Sequence, residues 1–159
     1  MTAEGVSVER LCAELGAAAP ASWPPLYNDE GTRTWFLQKL EAEPAAAGWL
    51  GYYVVADIEG VPTLVGAGGY KGPPNGDGIV EIGYSIIDAY HRRGIATAVV
   101  NELVARAFAD ARVKRVTAET PATFTASRGL LEKCGFTLIG ARADPDDGEL
   151  ALYVRTLTP

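Results

Sequence analysis

Apolar residues spaced three and four apart alternate along this chain with shorter runs rich in β-branched and aromatic residues. The first pattern predicts helices, the second strands. From Ser7 to about Ala18 the stripe Leu11, Leu15 and Ala18 predicts a short helix with Ser7 as its cap. Trp23-Pro24-Pro25 breaks any helix, and Asp29 to Leu40 then resumes helical spacing through Trp35, Phe36 and Leu40, ending before Glu43-Pro44. Trp23, Tyr27 and Trp35 are expected to pack in the core, because aromatic rings bury large area. Trp49 to Ile58 and Thr63 to Tyr70 read as strands joined into an antiparallel hairpin by Glu59-Gly60. Glycines 66, 68 and 69 in the second strand mark either a bulge or a close approach of another backbone.

The stretch Ile79 to Phe108 organises the rest. Ile79 to Ile87 is too short and too β-branched for a helix and predicts a strand; a polar turn follows. Val99, Leu103 and Ala107, seconded by Val100, Val104 and Phe108, then repeat at helical spacing, with Glu102 and Arg106 one turn apart on the polar side. Lys114 to Glu119 predicts a strand parallel to Ile79–Ile87 through this crossover helix, and two strands so joined can part at their ends to admit a ligand. Thr125 to Cys134 predicts a helix stopped by Gly135. Phe136 to Ile139 and Glu149 to Thr156 read as a closing strand pair around the acidic loop Asp144 to Gly148, whose charges are expected to be solvated surface. Lys71 to Gly78 reads as an exposed loop, whose prolines and glycines indicate a turn and say nothing about chemistry.

Bulk properties narrow the function classes. The 159 residues, 48% hydrophobic and 21% charged, suit one globular domain spanning residues 1–159. A net charge of -6 argues against a general nucleic-acid binder. No apolar run is long enough to cross a bilayer, and the N-terminus lacks a basic start and apolar centre, so a cytoplasmic protein is expected. With two distant cysteines, Cys12 and Cys134, and a single histidine, no metal set is expected. Cys134 reads as a buried, inert thiol.

The turn after the Ile79–Ile87 strand carries the candidate chemistry. His91-Arg92-Arg93-Gly94-Ile95-Ala96 places a residue without a side chain just before a helix whose first amides have no internal partner, an arrangement that holds phosphate. The Walker pattern is absent, and a single glycine does not make the dinucleotide pattern. What remains resembles the Q/R-x-x-G-x-G/A signature of the GCN5-related N-acetyltransferases (GNAT), with His91 in the Q/R position and Ala96 in the last. A second block, Ser127-Arg128-Gly129-Leu130-Leu131-Glu132-Lys133-Cys134-Gly135-Phe136, is similar to the family's N-x-x-S-x-x-x-L-E-K-x-G-F, about thirty residues further on. With E-I-G-Y at Glu81–Tyr84, the resemblance covers Ile79 to about Gly140 and leans to the RimJ/RimL-like branch.

The resemblance implies an α+β acyl-CoA N-acyltransferase fold, a mixed, mainly antiparallel sheet flanked by helices. It implies acetyl transfer from acetyl-CoA to a primary amine of a small molecule or a protein N-terminus, by a monomer or homodimer with no nucleic acid or membrane partner. Backbone groups of Tyr84 and Ile86 would meet the pantetheine arm, and the amides of the His91 turn, from Arg92 through Gly94, Ile95 and Ala96 to Thr97, would hold the pyrophosphate. Arg92 and Arg93 would add positive charge, and the helical region around Trp35 would overlie the acceptor end of the cleft. Two positions depart from the pattern. The usual asparagine is Phe124, which is left to pack on the cofactor arm, and the usual tyrosine acid is Leu131. Ser127 is the nearest hydroxyl, as readily structural as catalytic, and water is the other proton source for the leaving thiolate.

Glu81 is the expected general base, acting through a water, because few other bases exist and alternation puts it with Gly83 and Ser85 on the polar face of its strand. The opposing reading is that Glu81 pairs with a lysine or arginine, or lies on an exposed face. Two other functions stay open on sequence alone: a catalytically silent acetyl-CoA-binding sensor or interaction module, and a binder of another phosphorylated nucleotide. The second shares Gly94 but not the Ser127–Phe136 block.

Overall fold

A computed structural model describes residues 7–157 of the chain. They fall into two compact units interleaved along the sequence, one of the residues up to Gly69 with Tyr84–Ala96, the other of Tyr70–Gly83 with the residues from Thr97 onward. The six strands follow the order β1-β2-β3-β4-β6-β5, and strand β3 (Ile79–Ile86) contributes to both units.

In the first unit, helix α1 (Val8–Leu15) starts at Ser7, whose hydroxyl accepts the Arg10 amide at 3.1 Å. It ends at Gly16 with φ 62°, so the predicted extension to Ala18 does not form. Ala18 instead bridges to the sheet: its amide donates to Pro62 and its carbonyl accepts from Leu64, both at 2.8 Å. Glycine ended the helix where the alanines around it read as helix formers. Leu11 is buried with Leu64, with Trp23 and Tyr53 packed against them, whereas Leu15 is exposed.

Helix α2 (Glu30–Ala42) is capped by Asp29, which accepts the Thr32 amide at 2.8 Å. None of its residues is buried, and Tyr27 and Trp35 are exposed as well, so only Trp23 of the three aromatics expected in the core packs there. Strands β1 (Gly51–Ile58) and β2 (Val61–Tyr70) form the hairpin, with Glu59 and Gly60 both left-handed, as a two-residue turn requires. The register steps from Val54↔Gly66 to Val55↔Leu64 and leaves Val65 as the bulged residue; its carbonyl accepts the Ile87 amide at 2.9 Å. A Cβ on Gly66 would run into Ser85 and Ile86, and one on Gly69 into the Leu50 and Gly51 backbone. Close backbone approach therefore holds at Gly66 and Gly69, and the bulge lies beside Gly66, at Val65.

In the second unit, β3 pairs in parallel with β4 (Arg115–Pro121) through helix α3 (Ile95–Ala109), over the register Ile79↔Arg115 to Ile82↔Ala118. β4 pairs antiparallel with β6 (Gly148–Thr156), which pairs antiparallel with β5 (Thr137–Asp144). β5 runs to Asp144, well past the predicted Ile139, so the acidic loop is a tight hairpin turn. Val80, Ile82, Val116, Ala118 and Tyr153 fill the buried face of these strands. Glu81, Thr117, Glu119, Leu152 and Val154 share the opposite, half-exposed face by register. Helix α4 (Thr125–Lys133) stops before Gly135, with φ 83°, and is tied to β6 by the buried Tyr153, whose hydroxyl donates to Glu132 at 3.0 Å and accepts from Arg128 at 3.2 Å. Among the described residues no helix is long and apolar enough to cross a membrane.

Candidate active site

After β3 the chain makes one 3-10 turn, Asp88–Tyr90, in which the amides of Tyr90 and His91 are spent on the carbonyls of Ile87 and Asp88. The backbone is then left-handed at Arg92 (φ 61°) and again at Gly94 (φ 77°), with Arg93 of ordinary hand between them. Alternation of this kind makes a concave row of amides, and the α3 N-terminus extends it with the first-turn amides that no helix can satisfy internally. The amides from Arg92 to Thr97 meet no acceptor among the described residues. All four residues from His91 to Gly94 are exposed, and a Cβ on Gly94 would have nothing within 4 Å, so space lies over the turn.

Two side chains brace this turn. His91 folds back so that Nε2 lies 2.6 Å from the Ile86 carbonyl, which ties the turn to the end of β3. The Arg93 guanidinium rests 5.7 Å from the centre of the Tyr90 ring. Because Ile87 gives its amide to Val65 in β2, alternation directs the backbone groups of Tyr84 and Ile86 to the other edge of β3.

A different set of groups lies in the second unit. The Lys71 ammonium contacts the Glu81 carboxylate, and the Lys71 amide also donates to the Glu81 carbonyl at 3.0 Å. The opposing reading of Glu81, a charge pair, is therefore what the fold contains, and Lys71 at the start of the exposed loop supplies the partner. Solvent does not reach Glu81 Oε1, the oxygen that the Lys71 ammonium contacts. Thr117, opposite Glu81 in the register, spends its hydroxyl on the Val80 carbonyl at 3.3 Å.

Phe124 precedes α4 and is exposed; Ser127 sits in the helix's first turn, half-buried. Leu131, the position where the family resemblance led a tyrosine acid to be expected, is completely buried in the core. Cys134 is buried too, and burial pushes its thiol pKa up, which suits an inert role. Arg142 on β5 reaches across β6 to a two-pronged pair with Glu119 on β4 (2.6 Å at the shorter contact) and also touches Asp144 at 3.1 Å. In the first unit a hollow of about 230 Å³ lies between α2 and the start of β1, lined by Phe36, Leu37, Leu40, Leu50 and Tyr52 among others.

The acetyltransferase (GNAT) domain family matches residues 7–137. The chain belongs to this family. The exposed turn of Arg92–Gly94 and the α3 N-terminus contain the residues read in the sequence as resembling the signature block, and α4 those read as resembling the second. An uncharacterized N-acetyltransferase of Bacillus subtilis (strain 168), YjdG, is 32% identical over 75 residues. That match covers 47% of this chain and 45% of the relative, so it spans less than half of either. Among solved GNAT structures, the microcin C7 self immunity acetyltransferase MccE, in complex with acetyl-CoA and AMP, superposes with a TM-score of 0.64 at 16% identity, over 94% of this chain and 82% of that one. A ribosomal-protein-alanine N-acetyltransferase from Brucella melitensis gives 0.59 at 21% identity, over 81% and 79%. At these identities the solved structures establish the GNAT fold.

The sequence pointed to the turn, to Glu81 and to Ser127, and it missed Lys71 and Arg142. A cue for Lys71 existed in a cation just beyond a predicted strand, but only the β2–β3 turn geometry brings it back to Glu81.

Proposed function

We propose that this chain moves an acetyl group from acetyl-CoA to a primary amine, of a small molecule or of a protein N-terminus. The observation that carries the reading is the open row of amides from Arg92 to Thr97, left-handed at Arg92 and Gly94 and followed directly by a helix N-terminus. Such a row suits a diphosphate, because each amide donates without rearrangement and the helix end adds positive potential. Arg92 and Arg93, both exposed, add charge to it.

Acetyl-CoA, when bound, supplies an acyl group already activated as a thioester. The chain's own part is to hold and orient. Tyr84 and Ile86 offer backbone groups along an edge of β3 to an extended arm, and Phe124 offers an exposed ring. Glu81 takes the proton that an ammonium must lose before its nitrogen can attack, directly or through a water. With Leu131 sealed in the core, the departing thiolate takes its proton from water or from Ser127. The E-I-G-Y run within β3, Glu81–Tyr84, supports the RimJ/RimL-like branch.

Release of free thiol from acetyl-CoA, followed with a broad panel of amines and N-terminal peptides, tests the reading. At least one acceptor should raise thiol release well above hydrolysis. A panel that leaves it at the hydrolytic rate, with the protein folded and acetyl-CoA bound, would favour the silent binding module.

A further inference from the structure

We infer that His91 is a positioning residue for the turn at Gly94: its ring donates from Nε2 to the Ile86 carbonyl and so holds the row of amides in its binding shape. The inference rests on the proposed acetyl-CoA reading and deepens it. His91 acts through the backbone it pins, and the role depends on its being a donor.

The direction of the bond follows from the ring's neighbours. Nε2 lies 2.6 Å from the Ile86 carbonyl oxygen and 3.6 Å from Asp88 Oδ1. A carbonyl only accepts, and so does an ionised carboxylate, so Nε2 carries the hydrogen and Nδ1 is the bare nitrogen of the neutral ring. At 3.6 Å the carboxylate is beyond hydrogen-bond reach, and the carbonyl sets the ring. The Ile87 amide belongs to the same peptide unit as that carbonyl and goes to Val65 on β2, so the carbonyl faces away from β2. The ring therefore closes the strand edge proposed for the cofactor arm, at the last residue of β3. It marks where an extended arm gives way to the diphosphate.

The residue that follows shows why the turn needs such a tie. Arg92 is left-handed with φ 61°, a conformation that a residue with a side chain keeps only where its surroundings impose it. Gly94, at φ 77°, carries no such cost. Bonds from the Tyr90 and His91 amides fix the short 3-10 turn, but they reach only Ile87 and Asp88. The ring bond alone of these reaches back into β3, and it does so from the residue just before Arg92. With His91 untied, Arg92 can return to the ordinary hand, and the concavity that alternates through Arg92 and Gly94 opens.

The test compares His91→Phe, which keeps a ring without a donor, with His91→Gln, whose side-chain amide can donate to the same carbonyl from a similar reach. Calorimetric titration should show acetyl-CoA bound about threefold to tenfold more weakly by His91→Phe, the size of one lost hydrogen bond, and within about twofold of the unaltered protein by His91→Gln. With an amine found to be a substrate, His91→Phe should raise the KM for acetyl-CoA by the same factor and leave kcat and the amine's KM unchanged. A further readout uses the unaltered chain without cofactor. His91 is its single histidine, so the ring nitrogens are read without ambiguity by nitrogen-15 magnetic resonance. At about pH 8, where imidazole is ordinarily neutral, the ring should show one tautomer, hydrogen on Nε2, with that hydrogen slowed in exchange with water. Hydrogen on Nδ1, or a ring averaging between the two tautomers, would overturn the inference even if the phenylalanine variant failed to fold. Full affinity in a folded His91→Phe, or His91→Gln as weak as His91→Phe, would overturn it too. The spectrum needs no cofactor, so a failed tie is distinct from a failed cofactor reading, which would appear as no heat from acetyl-CoA in the unaltered protein.

Discussion

Tyr70, the last residue of β2, donates its phenolic hydrogen to the carbonyl oxygen of Leu103 in the middle of α3, at 2.6 Å. Both residues are buried, so the bond ties the strand end to the helix away from competing water. Tyr70→Phe should lower stability by about 1 kcal/mol, the usual net size of one internal hydrogen bond, because the helical carbonyl keeps its own ladder partner. Urea unfolding checks this: the midpoint should fall with an unchanged slope.

Leu131, at the position where the family resemblance led a tyrosine acid to be expected, is fully enclosed. Placing a tyrosine there should therefore cost stability and return no rate. Leu131→Tyr adds a ring and a hydroxyl to a filled core and should destabilise by about 1–3 kcal/mol. A variant with faster thiol release at unchanged stability would mean that a path for the hydroxyl to the reacting sulfur exists after all.

Asp110 and Arg112 clamp the turn between α3 and β4, with the Arg112 guanidinium 2.7 Å from the carboxylate and the Arg112 amide at 2.9 Å. The guanidinium first and the amide second hold the Asp110 pKa down to about 2, against 3.8 in the free side chain. A depressed carboxylate contributes stability that is complete above pH 3.8 and disappears as the pH falls towards about 2. Over that window the unaltered protein should lose stability more steeply than Asp110→Asn, as followed by acid titration of the unfolding midpoint. Parallel curves would show that the clamp is not coupled to folding.

How much of this could be read in the sequence follows from which signals are local. Ser7 and Asp29 were legible as helix starts, and Ser7 was named as a cap, because a cap acts three residues away. Glu59-Gly60 was legible because only a left-handed pair closes a two-residue hairpin. The turn at Gly94 was legible through the motif. Gly16 was passed over among alanines, and β5 was cut short because Gly140, Ala141 and Ala143 give almost no alternating apolar signal. Lys71 with Glu81, and Arg142 with Glu119 across an intervening strand, depend on the register of distant strands, which no local pattern contains. The exposure of Tyr27 and Trp35 likewise depends on what the fold lays over them, not on the rings.

Glu81→Gln removes the carboxylate proposed to receive the acceptor's proton. It should lower kcat by about 10²-fold at neutral pH, the typical size of a general-base effect, and recover in part at high pH, where free amine is abundant. A pH–rate profile of the two proteins decides it. Equal rates across the range would assign the proton to solvent or to the carboxylates of the Asp144 turn.

The central claim is that the turn at Gly94 holds acetyl-CoA through its backbone. The most direct measurement is a calorimetric titration of acetyl-CoA into the unaltered protein and into Gly94→Glu, with ATP and NAD as comparison ligands. Open space over Gly94 means that the glutamate side chain need not break the fold, although the left-handed backbone there strains any side chain by about 1–2 kcal/mol. The carboxylate would stand where the diphosphate must lie and would repel it. The account predicts saturable heat with acetyl-CoA in the unaltered protein, little with ATP or NAD, and none with acetyl-CoA in a folded Gly94→Glu. Undiminished acetyl-CoA affinity in the folded variant would contradict it.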